Sequence, residues 1–365
     1  MNLTRNERKR NERVWGAMVS LAAMLTVAGC SAAGGETVEA GSVLTDSAED
    51  DFAPSVVVTT TILGSVVGDI ATCAVGDDSS VTVLMPLGAD PHDFQASSAQ
   101  VAQMAKADLI VANGLGLEEG MMDALENIEA DGGPVMEIAS LLDPLPLGNL
   151  DGHVEDDHDD HAEDDHAEDD HAEDDHELED PAAEEEAHDH GDFDPHFWFD
   201  MERMAQAAEL IGAELALTGG EAYETCGASV AADIRATELD VITTLEEIPE
   251  RDRILVTDHD ALGYFADRYD FRIVGVVIPG GSTLGETNSQ ELAALVATMT
   301  TENVAAIFGD TATNSELLDV LASELDSDVS VIQLYVGSLG GPDSGAETYQ
   351  EMMLINAALI VQGLS

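Results

Sequence analysis

From residue 55 onward, short apolar runs alternate with stretches whose apolar residues recur at helical spacing. The run 55–61 (S-V-V-V-T-T-T) is β-branched and apolar, 81–85 is a second such run and 109–112 a third. Between them, residues near 63–74 and 97–107 carry the 3.6-residue period, the second opening on serines suited to capping a helix. The same alternation returns after residue 250: strand patterns at 254–257, 272–278, 304–308 and 329–336 are each followed by a helical pattern, at 261–268, 289–299, 314–325 and 345–364. Strands this short and apolar, separated by helices, form parallel sheets covered on both faces. The fold class expected is therefore α/β, with two lobes that each hold a mostly parallel sheet flanked by helices. Residues 201–247 lie between the lobes and are helical in period, with a break at Thr218-Gly219-Gly220. Positions 221–247 would make one helix of roughly 40 Å at 1.5 Å per residue, long enough to act as a rigid spine between the lobes.

The two remaining regions break this alternation. Residues 1–13 carry Arg5, Arg8, Lys9, Arg10 and Arg13 and precede an apolar run from Val14 to Val27 that is too short to span a bilayer. The run ends in Val27-Ala28-Gly29-Cys30, small residues before a cysteine, as in a bacterial lipobox. Residues 1–29 are thus expected to be a removed signal, Cys30 the lipidated new N-terminus, and 30–54 a small, acidic tether. That assigns the chain to the outer side of a bacterial cell membrane, anchored by lipid. The second region, 151–192, repeats the pentad H-A-E-D-D three times. It places His161, His166, His171 and His176 five residues apart, with His153, His158, His188 and His190 around them among 23 carboxylates. With almost nothing apolar it has no core of its own, and it is expected to be a disordered loop inserted in the first lobe. Imidazole among carboxylates suits weak, exchangeable capture of a divalent metal. The expected divisions are 1–29, 30–54, a first lobe 55–218, a linking helix 219–249 and a second lobe 250–365.

Charge narrows the function. Seventy-five acids against twelve Lys plus Arg give a net charge of −63, and a polyanion of that size is repelled by phosphate backbones, so nucleic acid is excluded as a partner. The acid excess fits a salt-rich habitat or simple surface solubility. Three cysteines are too few for a thiolate cluster; with Cys30 lipidated, Cys73 and Cys226 are the only pair left for a disulfide.

Outside the insert only His92, His196 and His259 remain, 104 and 63 residues apart. Each is expected where a strand gives way to a loop or helix: His92 and His259 directly after strand patterns, and His196 at the exit of the insert. Carboxyl ends of strands line the ligand crevice of open α/β sheets. Three neutral imidazoles converging from distant parts of the chain suit zinc, with adjacent aspartates to fix their tautomers.

The motifs G-A-D-P-H-D-F around His92, D-P-H-F-W-F-D around His196 and H-D-A-L-G-Y-F-A from His259, in this order and with a His-rich insert before the second, resemble the metal-binding substrate-binding lipoproteins of bacterial ABC importers, the zinc and manganese family. The resemblance covers about residues 55–365. It implies two α/β lobes joined by a rigid helix, a metal site at their interface with His92 and His196 from the first lobe and His259 from the second, and a monomer that hands its ion to the transmembrane subunit of an ABC permease. The insert resembles that of the zinc-selective branch. The family often takes a fourth ligand, an aspartate, where this chain has Gly337; Asp310 is the nearest acidic alternative, Asp343 a weaker one, and water is equally acceptable. Loss of that aspartate favours Zn2+ over Mn2+, because a nitrogen-dominated shell is softer. The expected function is extracytoplasmic capture of Zn2+ for a permease. The alternatives are a manganese binder of the same family, a surface metal buffer or adhesin, and a zinc hydrolase or hydratase, since three histidines with an open position also make a catalytic shell. The last lacks a general base in any recognisable arrangement, with no H-E-x-x-H and no G-x-S-x-G. The chain is therefore not expected to be an enzyme.

Overall fold

The computed structural model describes residues 53–148, 193–325 and 329–365. The expected signal, Cys30, the tether up to residue 52 and the eight histidines of the insert lie outside these described residues. Within them, no helix is long and apolar enough to cross a membrane.

The first sheet takes its strands in the order β2-β1-β3-β4, from β1 (Ser55–Val58), β2 (Ser80–Val83), β3 (Leu109–Ala112) and β4 (Val135–Glu137), all parallel. The second repeats the plan as β6-β5-β7-β8, from β5 (Ile254–Thr257), β6 (Arg272–Val276), β7 (Ala306–Asp310) and β8 (Ser330–Leu334). Helices α1 (Thr61–Val75), α2 (Ser98–Met104) and α3 (Met122–Ala130) belong to the first lobe; α6 (Gly263–Tyr269), α7 (Ser289–Glu302) and α8 (Glu316–Ser323) belong to the second. α4 (Met201–Gly219) and α5 (Glu221–Leu245) connect them, and α9 (Tyr349–Leu364) closes the chain. The sequence pattern did not reveal α3 and β4, a nine-residue helix and a three-residue strand too short to establish a period.

Successive strand residues point to opposite faces, and the cores follow that alternation. Val57, Ile110 and Ala112 face Met104, Met121 and Leu125 beneath α2 and α3, while Val256 and Ile307 face Leu295, Met299 and Leu318 beneath α7 and α8. The opposite faces join. Val56, Val58 and Val111 of the first sheet share one continuous core with Phe308 of the second, through residues of α1, α4, α5 and α9. A core shared by both sheets resists hinge opening, because separating the lobes would expose apolar surface at roughly 25 cal/mol per Å2.

The 25-residue α5 is about 37 Å long at 1.5 Å per residue. Its entry is broken at Gly220, whose φ of 93° lies in the left-handed region. Backbones of α4 and α5 touch where Gly212 and Gly227 meet: a Cβ on Gly227 would lie 2.6 Å from the Ala208 carbonyl oxygen and 2.9 Å from Gly212 Cα. Arg235 of α5 forks onto Glu202 and Glu209 of α4, and Glu238 accepts both Nε and Nη2 of Arg268 on α6. Cys73 of α1 is bonded to Cys226 of α5, with their Cα atoms 5.8 Å apart. Direct bonds also cross between lobes: Trp198 Nε1 donates to the Val336 carbonyl, Tyr349 Oη to that of Trp198, and Tyr264 Oη to that of Asp194.

Candidate metal centre

Each sheet changes winding direction next to its first strand, and both carboxyl edges face the interface, where the loops leaving the strands meet. His92 lies in the turn after β2 and His259 directly follows β5. His196 follows no strand. It stands at the start of a 3-10 turn, Phe197–Phe199, that leads into α4, just after the bridge between Pro146 and Phe193 that closes the base of the insert. The aromatic run after it is a wall: Phe197, Trp198 and Phe199 are all buried, and the Trp198 ring lies 5.2 Å from that of His196.

The three imidazoles are almost wholly buried, with ring centroids 5.2 to 5.7 Å apart. One ligand atom from each lies within 4.8 Å of the others, the single group of this kind among the described residues. Nε2 of His196 and both ring nitrogens of His92 are buried without a hydrogen-bond partner. Buried polar atoms are normally satisfied, so orphaned nitrogens turned toward one another mark a cavity built for something that accepts lone pairs.

The neighbouring aspartates divide their work. Asp194 Oδ1 takes the His196 ring at Nδ1 (2.7 Å) and its main-chain N–H (2.9 Å). Asp258 Oδ1 does the same for His259 at 2.9 and 2.8 Å, while its Oδ2 accepts from the Asp310 amide and Thr313 Oγ1. With Nδ1 so engaged, both rings present Nε2 to the site. Burial and the two neighbouring imidazoles hold His196 well below the usual imidazole pKa, so it is neutral. Burial also opposes charge on His259, but the Asp258 carboxylate, helped by Asp310 and Asp90, outweighs it and raises that pKa. Of these two rings, His259 is therefore the one whose proton is held more firmly against an incoming cation.

Asp310 does not join the imidazole cluster. Its Oδ1 accepts from the amides of Ala312 and Val336 and its Oδ2 from that of Gly337, and burial pushes its pKa up to about 6. These donors hold the carboxylate across the exit of β8. A side chain at Gly337 is also blocked, since a Cβ there would lie 2.6 Å from Pro91 Cδ and 3.2 Å from Asp310 Oδ2. Asp343 is exposed in the loop before α9.

One structural carboxylate went unnoticed in the sequence. Glu118 is buried and accepts from Thr59 Oγ1 (2.7 Å), Asn113 N (2.7 Å) and Gly114 N (3.1 Å), which pins the exit of β3 to that of β1. Its signal was available: an acid two residues past Gly116, in the glycine turn that follows a fully apolar strand.

Residues 56–363 match the family described as zinc-uptake complex component A, periplasmic. The manganese-binding lipoprotein MntA of Halalkalibacterium halodurans is 26% identical over 364 residues, covering 97% of this chain and 99% of its own. The zinc-binding protein TroA of Treponema pallidum is 25% identical over 322 residues, covering 86% and 90%. The solved structure of that TroA superposes with a TM-score of 0.66 at 22% identity, over 86% of this chain and all of its own. A manganese-bound periplasmic metal-binding protein from Candidatus Liberibacter asiaticus superposes at 0.63 and 23%. These two structures share the fold.

Proposed function

This chain belongs to the family of periplasmic zinc-uptake complex component A, and we propose that it captures Zn2+ outside the cytoplasmic membrane and delivers it to the transmembrane subunit of an ABC permease. It is an uptake component, not an enzyme. The observation that carries the reading is the cluster of His92, His196 and His259, with no carboxylate among its ligand atoms. Imidazole nitrogen at ~2.0 to 2.1 Å suits Zn2+, and an oxygen-preferring ion such as Mn2+ gains little from an all-nitrogen shell. Asp310 lies outside this cluster, its carboxylate turned to the amides of Ala312, Val336 and Gly337, and Gly337 has no side chain to offer. Water completes the shell. Manganese is the second reading, favoured by the relatives named MntA. The lipid anchor on Cys30 and the auxiliary capture of metal by the insert histidines belong to the same proposal.

The chemistry asks three things of the protein. Asp194 and Asp258 orient two rings, so little entropy is lost when the ion arrives. The cluster is closed to bulk water on the Trp198 side, which strengthens coordination. The bonded, shared core holds both lobes in register while the ion is bound.

Isothermal calorimetry on the mature chain tests this. One tight zinc site is expected to survive deletion of residues 151–192 and to be lost in H92A, H196A or H259A. Loss of all tight binding on deleting the insert would overturn the interlobe site. Saturation at about a thousand times Kd should stabilise the fold by about 4 kcal/mol; such a shift with Mn2+ and none with Zn2+ would overturn the choice of metal. Binding without import by a permease-bearing cell would leave the surface buffer as the function.

A further inference from the structure

Two of the three histidines have the outer ring nitrogen held by an aspartate within two residues in sequence. His92 looks the same in sequence, between Asp90 and Asp93, but its neighbours are occupied elsewhere. Asp90 spends Oδ1 on the His92 main-chain N–H (3.0 Å) and Oδ2 on Thr283 Oγ1 (2.6 Å), a bond from the first lobe to the second. Asp93 is exposed. The carboxylate facing the His92 ring comes from another strand. Glu119 opens the 3-10 turn Glu119–Met121 after β3, and its Oε1 stands 3.6 Å from His92 Nδ1.

We propose that Glu119 is the positioning residue of His92: it accepts the Nδ1–H of that ring, and so sets the tautomer in which Nε2 points at the metal. This inference rests on the reading of His92 as a ligand. Three observations support it. Both nitrogens of His92 are buried without a hydrogen-bond partner, and a metal satisfies only one of them. The separation of 3.6 Å is 0.7 Å longer than the 2.9 Å between His259 and Asp258, a gap that rotation of a glutamate side chain can close. Glu119 stands one-fifth exposed on the wall of an interlobe cavity of about 440 Å3 that Leu115, Pro195 and Gly281 also line, on the side of the His92 ring that faces Nδ1. Glu118, next in the chain, fixes the backbone beneath it through Thr59, Asn113 and Gly114. The three rings would then obey one rule, a carboxylate on each Nδ1, with the third carboxylate recruited across the sheet from β3.

The test uses the mature chain, zinc and its apo form. Outer-shell partners of a ligating histidine typically account for 10- to 100-fold in metal affinity. E119A should lose that much in a chelator competition while the melting temperature of its apo form stays at the wild-type value, and E119Q, which keeps an acceptor oxygen, should recover most of it. Long-range 1H–15N spectra of zinc-loaded, histidine-labelled wild-type protein should show His92 protonated at Nδ1 and metal-bound at Nε2. Affinity of E119A within twofold of wild type, or zinc on Nδ1 of His92, would overturn the assignment. H196A separates the two levels: if it binds zinc like wild type, the cluster itself is not the site, whereas its failure beside an unaffected E119A refutes only the role of Glu119.

Discussion

The disulfide gives the most quantitative prediction. Cys73 and Cys226 are 153 residues apart in sequence, and closing a loop of that size removes about 17 cal/mol/K of chain entropy from the unfolded state, or about 5 kcal/mol at 25 °C. The double substitution C73A/C226A removes the bond without leaving a lone thiol. Cys226 is buried and Cys73 exposed, so the packing loss falls on one small side chain. The variant should unfold at lower denaturant concentration, with ΔG reduced by about 3 to 5 kcal/mol and Tm by about 6 to 10 °C at about 2 °C per kcal/mol. The insert lies inside this loop. Shortening the loop by deleting residues 151–192 changes the entropy by only about 0.3 kcal/mol, because the dependence is logarithmic. Urea melts of four proteins, with and without the bond and with and without the insert, should therefore give nearly the same disulfide increment in both backgrounds. Zinc affinity should change little, since neither cysteine touches the histidines. An increment below about 1 kcal/mol, or one that disappears with the insert, would refute the loop-closure reasoning.

Two further expectations follow from particular groups. Because the pKa of His259 is raised and that of His196 lowered, zinc affinity should fall as pH drops, beginning above the ordinary imidazole value of about 6.5, with proton release on binding as His259 gives up its proton. Asp310, with a pKa of about 6, adds protonation of a nearby anion at lower pH, so the slope should steepen there; calorimetry in buffers of different ionisation enthalpy counts the protons, and an affinity that does not change between about pH 8 and about pH 5 would contradict the reasoning. In G227A, the added methyl meets the Ala208 carbonyl oxygen at 2.6 Å and Gly212 Cα at 2.9 Å, so α4 and α5 must move apart; a loss of about 1 to 3 kcal/mol is expected in thermal melts, and a neutral outcome would show that the two helices are not held at this crossing.

Much of this was legible along the chain. Apolar runs such as Leu109–Ala112 and Ile254–Thr257 are buried on both faces, so composition alone marks them as strands of a covered parallel sheet, and their bounds match the pattern to the residue. The break at Gly219-Gly220 and the long helix after it were likewise written in glycine and helical period. Where the signal was short it failed: α3 and β4 are held by the sheet they complete rather than by their own periodicity.

The sequence by itself determined which residues are chemically able to bind a soft dication, because only three histidines lie outside the acidic repeat and each sits next to carboxylates. Tertiary structure alone decided how those carboxylates are used. Asp194 and Asp258 hold their neighbouring rings, Asp90 turns to Thr283, and Asp310 is taken by the amides of residues 312, 336 and 337. A hydrogen bond depends on direction and on separations of a few tenths of an ångström. Those quantities are set by how two sheets and their loops pack, and no spacing in a linear chain encodes them.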